Sequence, residues 1–321
     1  MIEEHIHVIQ VPTPFEVGPV NCYLIEGKPL TLIDTGVKSS LARGVVKQGL
    51  NNHGYDFEDI EQILLTHGHV DHMGLANEIS NLGDDVKVWI HELDAERITD
   101  YPGYTENRMH AYQQIAEECG VPTELRQYNS HRAMADYFLK FGESVNEVKT
   151  FKDGAIMNSG IGRLYCLWVP GHSLGSVCYV AKEEALMFSG DHILGDISSN
   201  PSLDFEGSLG ISMLRYFDSL TKMEPFSEFK VLPGHREPIS NLSSRIDELF
   251  IDYKQKLERA KKSLRKNSIT VYDLSRELYG DYPATSLILA LAETRDLALI
   301  LEQEERAHID RKKDILYITS V

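Results

Sequence analysis

Cysteine is scarce in this chain. The four that occur, Cys22, Cys119, Cys166 and Cys178, stand far apart without a C-x-x-C pair, which excludes a disulfide scaffold and fits reduced, buried thiols in a cytoplasmic protein. Long apolar runs are missing as well: no stretch reaches the roughly 18 apolar residues that a membrane span needs. The opening MIEEHIHVIQVP carries acidic residues where an export signal carries basic ones. Positive charge is the third shortage. With 32 Lys and Arg against 49 Asp and Glu, the net charge is −17, which repels polyanions at long range unless the cations cluster.

What is there describes a folded protein. Over 321 residues, 42% are hydrophobic and 25% charged, enough apolar material for a core and a length that suggests two domains. Short β-rich runs at 6–11, 21–27, 30–34, 61–67 and 86–91 are predicted as strands, with helices over 38–52 and 70–81 between them. Strands return at 147–151, 161–169, 176–181, 185–189 and 229–232, so the chain reads as α/β in two halves of similar style but without a sequence repeat. Between the halves, about 92–145 reads as a helical insertion, with helices over 104–119 and 130–141. Beyond Pro238 three helices are expected, over 243–266, from a Thr270 cap to 279, and over 285–305, then a hairpin turning at 310–313.

Histidine is plentiful, at 13 residues, and its placement carries the chemistry. In T-H-G-H-V-D-H (66–72), His67 and His69 lie two apart past a strand and point the same way, while Asp71 and His72 fall where the next helix begins. Three later segments repeat the form of a strand running into a glycine-flanked ligand: P-G-H172-S, S-G-D191-H and P-G-H235-R. Seven such groups at strand ends suffice for two metal ions, each with about three protein ligands and an open place for water.

Taken in order with L-I-D-T-G at 32–36, these motifs resemble the five motifs of the metallo-β-lactamase-fold hydrolase superfamily, over about residues 6–240. The resemblance implies a four-layered αββα sandwich as a catalytic domain (1–240), with the metals at the edge of its sheets. It implies that His67, His69 and His172 bind one metal, Asp71, His72 and His235 the other, and that Asp191 bridges them. Asp34 would accept a hydrogen bond that holds the ligand loop. Two zinc ions are expected, with iron or manganese as alternatives. His at 69, where the flavodiiron branch has a carboxylate, points to hydrolysis. Paired zinc ions about 3.5–4 Å apart make a bridging hydroxide available near pH 7, and Asp71 is the residue placed to orient it and pass on a proton.

Residues 241–321 resemble, more weakly, the winged-helix-like C-terminal domain of the endoribonuclease-related branch. That raises single-stranded RNA as an alternative substrate. Residues 245–266 hold eight basic and four acidic side chains, so the segment is +4 and the remainder −21, with Lys254, Lys261 and Arg265 on one helical face. No aromatics interleave them as single-strand binding requires. The insertion offers Tyr101, Tyr104, Met109, Tyr112, Tyr128, Phe138 and Phe141, either as walls of a pocket for a small ester or thioester or as packing onto the body. His110 and His131 read as solvent-exposed, His5 and His7 as strand residues without partners, and His192 as facing away from Asp191. The first expectation is therefore a binuclear zinc hydrolase of a small carbonyl substrate. A homo-oligomer is a further partner expectation, and the C-terminal residues are expected to dock on DNA, on a second subunit or on the catalytic domain of the same chain.

Overall fold

The computed structural model describes residues 2–128, 130–204, 210–264 and 267–321. The first half builds a sheet whose strands lie side by side in chain order: β1 (Ile6–Val11), β2 (Val20–Ile25), β3 (Thr31–Ile33), β4 (Gln62–Leu64), β5 (Lys87–His91) and β6 (Lys149–Phe151). The first three pair antiparallel and the rest parallel, because helices α1 (Ser40–Asn51), α2 (Val70–Met73) and α3 (Ala76–Leu82) make the crossovers. The insertion follows β5 as α4 (Ala95–Thr99), α5 (Tyr101–Glu118), α6 (Thr123–Tyr128) and α7 (His131–Phe138). A second sheet, ordered β11-β10-β9-β8-β7, comprises β7 (Ile156–Ser159), β8 (Gly162–Trp168), β9 (Val177–Ala181), β10 (Leu186–Gly190) and β11 (Lys230–Pro233), with α8 (Ser212–Met223) before its last strand.

Alternation along the strands sorts side chains into layers. Leu24, Leu32 and Ile63 face α1, α2 and α3 in one buried cluster. Their neighbours Tyr23, Ile25, Ile33 and Leu64 face the other sheet, meeting Tyr179, Phe188 and Leu232. From the second sheet, Val180, Met187 and Val231 point outward to Tyr216 and Leu220 of α8. With both faces covered, these strands read as continuous apolar runs, and each large side chain so buried contributes about 1.5–3 kcal/mol. The result is the αββα sandwich.

The C-terminal residues form α9 (Leu242–Ser263), β12 (Ile269–Thr270), α10 (Val271–Tyr279), α11 (Leu287–Gln303), β13 (Ala307–Lys312) and β14 (Ile315–Ser320), the strands in order β12-β14-β13. Thr270 caps α10 reciprocally with Asp273. Ile246, Leu249, Tyr253, Leu297 and Ile318 share one buried cluster with Val180 and Met187 of the second sheet, so these elements complete the outer layer of the sandwich. No helix among the described residues is long and apolar enough to cross a membrane.

Several elements differ from the sequence reading. The helix expected over 70–81 breaks in two at Gly74, where a Cβ would lie 2.5 Å from Lys38 N and 2.7 Å from Gly36 O. The hairpin turns at Lys313 and Asp314, both left-handed with φ of 50° and 66°, rather than at 310–313. Strand β7 and helix α8 are absent from the sequence reading; α8 buries Met213, Tyr216, Leu220 and Met223 together with Ser212 and Ser219 on one face.

Candidate metal centre

Backbone hydrogen bonds between the sheets bring the motif loops to one edge. Val177 N donates to Thr66 O (3.0 Å) and the Tyr179 hydroxyl to Leu65 O (2.8 Å), tying the loop after β4 to β9. Asn21 N donates to Gly234 O (2.6 Å) and the Tyr23 hydroxyl to Pro233 O (2.7 Å), tying β2 to the loop after β11. All seven candidate ligand side chains meet there. His67 Nε2, His69 Nδ1 and His172 Nε2 lie 2.8–3.2 Å from one another. Asp71, His72 and His235 form the adjoining group, with His235 Nε2 at 3.5 Å from Asp71 Oδ2. Asp191 stands between the groups, 3.4 Å from His72 Nε2, 3.5 Å from His235 Nε2 and 3.7 Å from His172 Nε2.

The outer nitrogens fix which atoms face inward. His172 Nδ1 donates to Ser199 O (2.5 Å), His235 Nδ1 to Pro19 O (2.7 Å) and His72 Nδ1 to Asp34 Oδ2 (2.7 Å). The Thr66 hydroxyl gives its proton to Asp34 (2.8 Å) and so accepts from His67 Nδ1 (3.1 Å). Neutral His67 and His172 therefore aim lone pairs at each other across 3.2 Å, and His72 Nε2, His235 Nε2 and Asp191 Oδ1 are buried without a hydrogen bond. Such a convergence of ring nitrogens and a carboxylate, the atoms that metal ions bind, fits cations between them. Glycine makes the room: a Cβ on Gly234 would lie 2.4 Å from Asp191 Oδ1 and 2.8 Å from His72 Cε1.

Electrostatics divides the rings. Burial, reinforced by neighbouring imidazoles, pushes His67 and His69 well below the usual histidine range. Burial also disfavours a proton on His72, but Asp191, Asp34 and Asp71 outweigh it and raise that ring well above its ordinary value. Burial alone would raise the carboxyls of Asp191 and Asp71. The imidazoles of His235 and His72 prevail and hold both below the usual range.

Asp34 does more than accept one bond. Held at φ 57°, it takes Thr66 N (2.9 Å), the Thr66 hydroxyl and His72. Sequence reasoning missed an equivalent clamp, Asp94, which accepts from Gly68 N (2.8 Å), the Ser173 hydroxyl (2.7 Å) and Gly175 N (2.9 Å). One carboxylate thus holds both the 67–69 and 172–175 loops. It also missed Asp204, which accepts from Arg97 (2.8 Å), Arg108 and Leu174 N (2.8 Å), pinning α4 and α5 to the site. Nothing in the local sequence marks either residue.

Other expectations land elsewhere. His110 and His131 face each other, 5.4 Å apart, on α5 and α7. His192 is buried against Tyr216 and lowered to about 3, by burial and then by His172 and Lys222. Tyr101, Phe138 and Phe141 pack onto the body, while the Tyr104 and Tyr112 hydroxyls accept from Arg97 (2.7 Å) and Arg108 (3.1 Å); the side chain of Tyr128 lies outside the described residues. His5 and His7 are not partnerless, because both contact Glu26. On α9, Arg245 donates to Leu194 O (2.7 Å) and Ile197 O (2.8 Å), Lys256 pairs with Glu293 (2.8 Å), and Lys261 binds Arg306 O. Arg265 and Lys266 lie outside the described residues.

A family model for the metallo-beta-lactamase superfamily matches residues 15–235. A probable metallo-hydrolase of Bacillus subtilis, YqjP, is 28% identical over 95% of this chain and 94% of its own. An atrochrysone carboxyl ACP thioesterase of Claviceps purpurea is 31% identical over 50% of each chain. The crystal structure of a metallo-beta-lactamase family protein from Thermus thermophilus, 24% identical, superposes with a TM-score of 0.82 over 99% of both chains, so the fold is shared from the first strand to the last. A family match that runs through both sheets to His235 shows that the chain belongs to the metallo-beta-lactamase superfamily, and it is a metal-dependent hydrolase.

Proposed function

We propose that this hydrolase holds two zinc ions and cleaves a small carbonyl substrate, an ester or thioester. The observation that carries the reading is the set of inward-facing ring nitrogens and the carboxylate oxygen without hydrogen-bond partners on His72, His235 and Asp191, beside the His67, His69 and His172 group. Two divalent ions in those positions supply Lewis acidity toward a carbonyl oxygen and make water ionise near pH 7. Asp191, ionised and within 3.4–3.7 Å of rings from both groups, is the side chain placed to touch both ions. Asp71, ionised and slightly exposed at 8%, accepts a proton and returns it to the leaving group. Asp34 keeps the His72 ring from turning, and Asp94 holds the loops that carry His67, His69 and His172.

Thioester cleavage draws support from the fungal relative named as a thioesterase. The net charge of −17 weighs against RNA, and on α9 Arg245, Lys256 and Lys261 are tied to carbonyls and a carboxylate. Four free, buried thiols suit a reducing cytoplasm. The test is hydrolysis by zinc-loaded protein across thioesters, esters, lactones, phosphodiesters and RNA. Acyl thioesters or esters should be cleaved, and Asp71→Ala should slow them about 10²–10⁴-fold. Cleavage confined to RNA, or an Asp71→Ala enzyme of full activity, would refute the reading.

A further inference from the structure

The outer edge of the first sheet carries a second gathering of metal-type side chains, which the hydrolytic centre does not use. His7 on β1, Glu26 just past β2 and His53 in the turn after α1 place one ligand atom each within 4.8 Å of the others. His7 Nε2 lies 2.9 Å from Glu26 Oε1, and His53 Nδ1 lies 4.0 Å from the same oxygen. His5 Nδ1 approaches the other oxygen, Glu26 Oε2, at 3.3 Å. Three imidazoles thus surround one carboxylate, more donors than its position at a strand end requires.

We infer that His7, Glu26 and His53, with His5 beside them, form a separate site for a zinc-class divalent ion at the end of the β1–β2 hairpin remote from the hydrolytic centre. The hairpin's near end is marked by Val20, bridged to His235; a six-residue strand puts Glu26 about 20 Å away. Borderline nitrogen ligands with one carboxylate suit zinc rather than calcium or magnesium. Ligand atoms around a tetrahedral zinc, bonded at about 2.0–2.1 Å, sit about 3.3 Å apart, and the separations of 2.9 and 4.0 Å bracket that figure. The rings of His7 and His53 now stack at 3.5 Å, so coordination needs the solvent-facing His53 ring to turn about its Cβ–Cγ bond. A cleft of about 290 Å³ between β1 and α1, lined by Val8, Gln10, Val45, Asn52 and His53, reaches the His53 side of the group. An ion there would pin the edge strand to the end of α1.

The experiment uses untagged full-length protein stripped by chelator and reloaded with zinc alone, with bound ions counted by native mass spectrometry. Wild type should retain one zinc more than His7→Gln and than His53→Gln, both of which keep wild-type hydrolytic activity. The same count and zinc affinity in all three proteins overturns the inference, as does an additional ion that survives both substitutions. The difference in count is readable whatever substrate the hydrolytic centre takes.

Discussion

Asp94 shows how much of a metal site resides in residues that touch no metal. Its carboxylate satisfies Gly68 N, Gly175 N and the Ser173 hydroxyl, so Asp94→Ala strands two buried N–H groups and should cost about 3 kcal/mol. Thermal melts should register that loss, together with weaker zinc binding; unchanged zinc affinity would limit Asp94 to a stabilising role. At His72 the prediction concerns protons. Its pKa is raised by Asp191, Asp34 and Asp71 against burial, so in the metal-free protein it contributes stability below the unfolded histidine value that is lost as pH rises through the higher folded one. A bound ion takes the proton's place. Titration calorimetry in buffers of differing ionisation enthalpy should therefore show protons released on zinc binding even at pH 7. The seven candidate ligands are legible in the sequence because they fall in short motifs just past predicted strands, and the order of those motifs carries the family resemblance. Asp94 could not, since its partners are main-chain N–H groups 26 and 81 residues away and backbone groups have no residue identity to recognise.

Among elements, α9 acts on the site through the 192–200 loop. Arg245 donates to Leu194 O and Ile197 O, and the Tyr253 hydroxyl meets Ser198 Oγ at 2.7 Å, while Ser199 O in that loop fixes the His172 ring. Arg245→Ala should cost about 3 kcal/mol and loosen zinc at the His67, His69 and His172 group more than at the other. Metal-specific spectroscopy of a cobalt-loaded variant checks this; equal loss at both groups would place the effect in global stability. The insertion is tied down in a comparable way, since Ile115, Ala116 and Cys119 of its α5 end pack on Val271, Leu287 and Leu291. Helical spacing revealed α9, α10 and α11 from their recurring apolar residues. It missed α8, and it ran through Gly74 and Leu75, where α2 has ended and α3 has yet to begin.

Across the whole molecule the candidate ligands divide between the sheets: His67, His69, Asp71 and His72 follow β4 of the first, while His172, Asp191 and His235 follow β8, β10 and β11 of the second. Ions bound by these residues would link the two sheets. Zinc at about a thousand times its dissociation constant should stabilise the native state by about 4 kcal/mol, and chelation should lower the melting temperature reversibly. A melting temperature indifferent to chelator would mean that the sheets need no such link. The same division orders events during synthesis. A ribosome that has made the first hundred residues has exposed four of the seven ligands and neither of the groups in full, and the last one, His235, emerges only after β11. A nascent chain therefore has no finished place for metal until both sheets exist. Loading waits on folding, and stalled or truncated chains would be left without the ions that make the protein reactive.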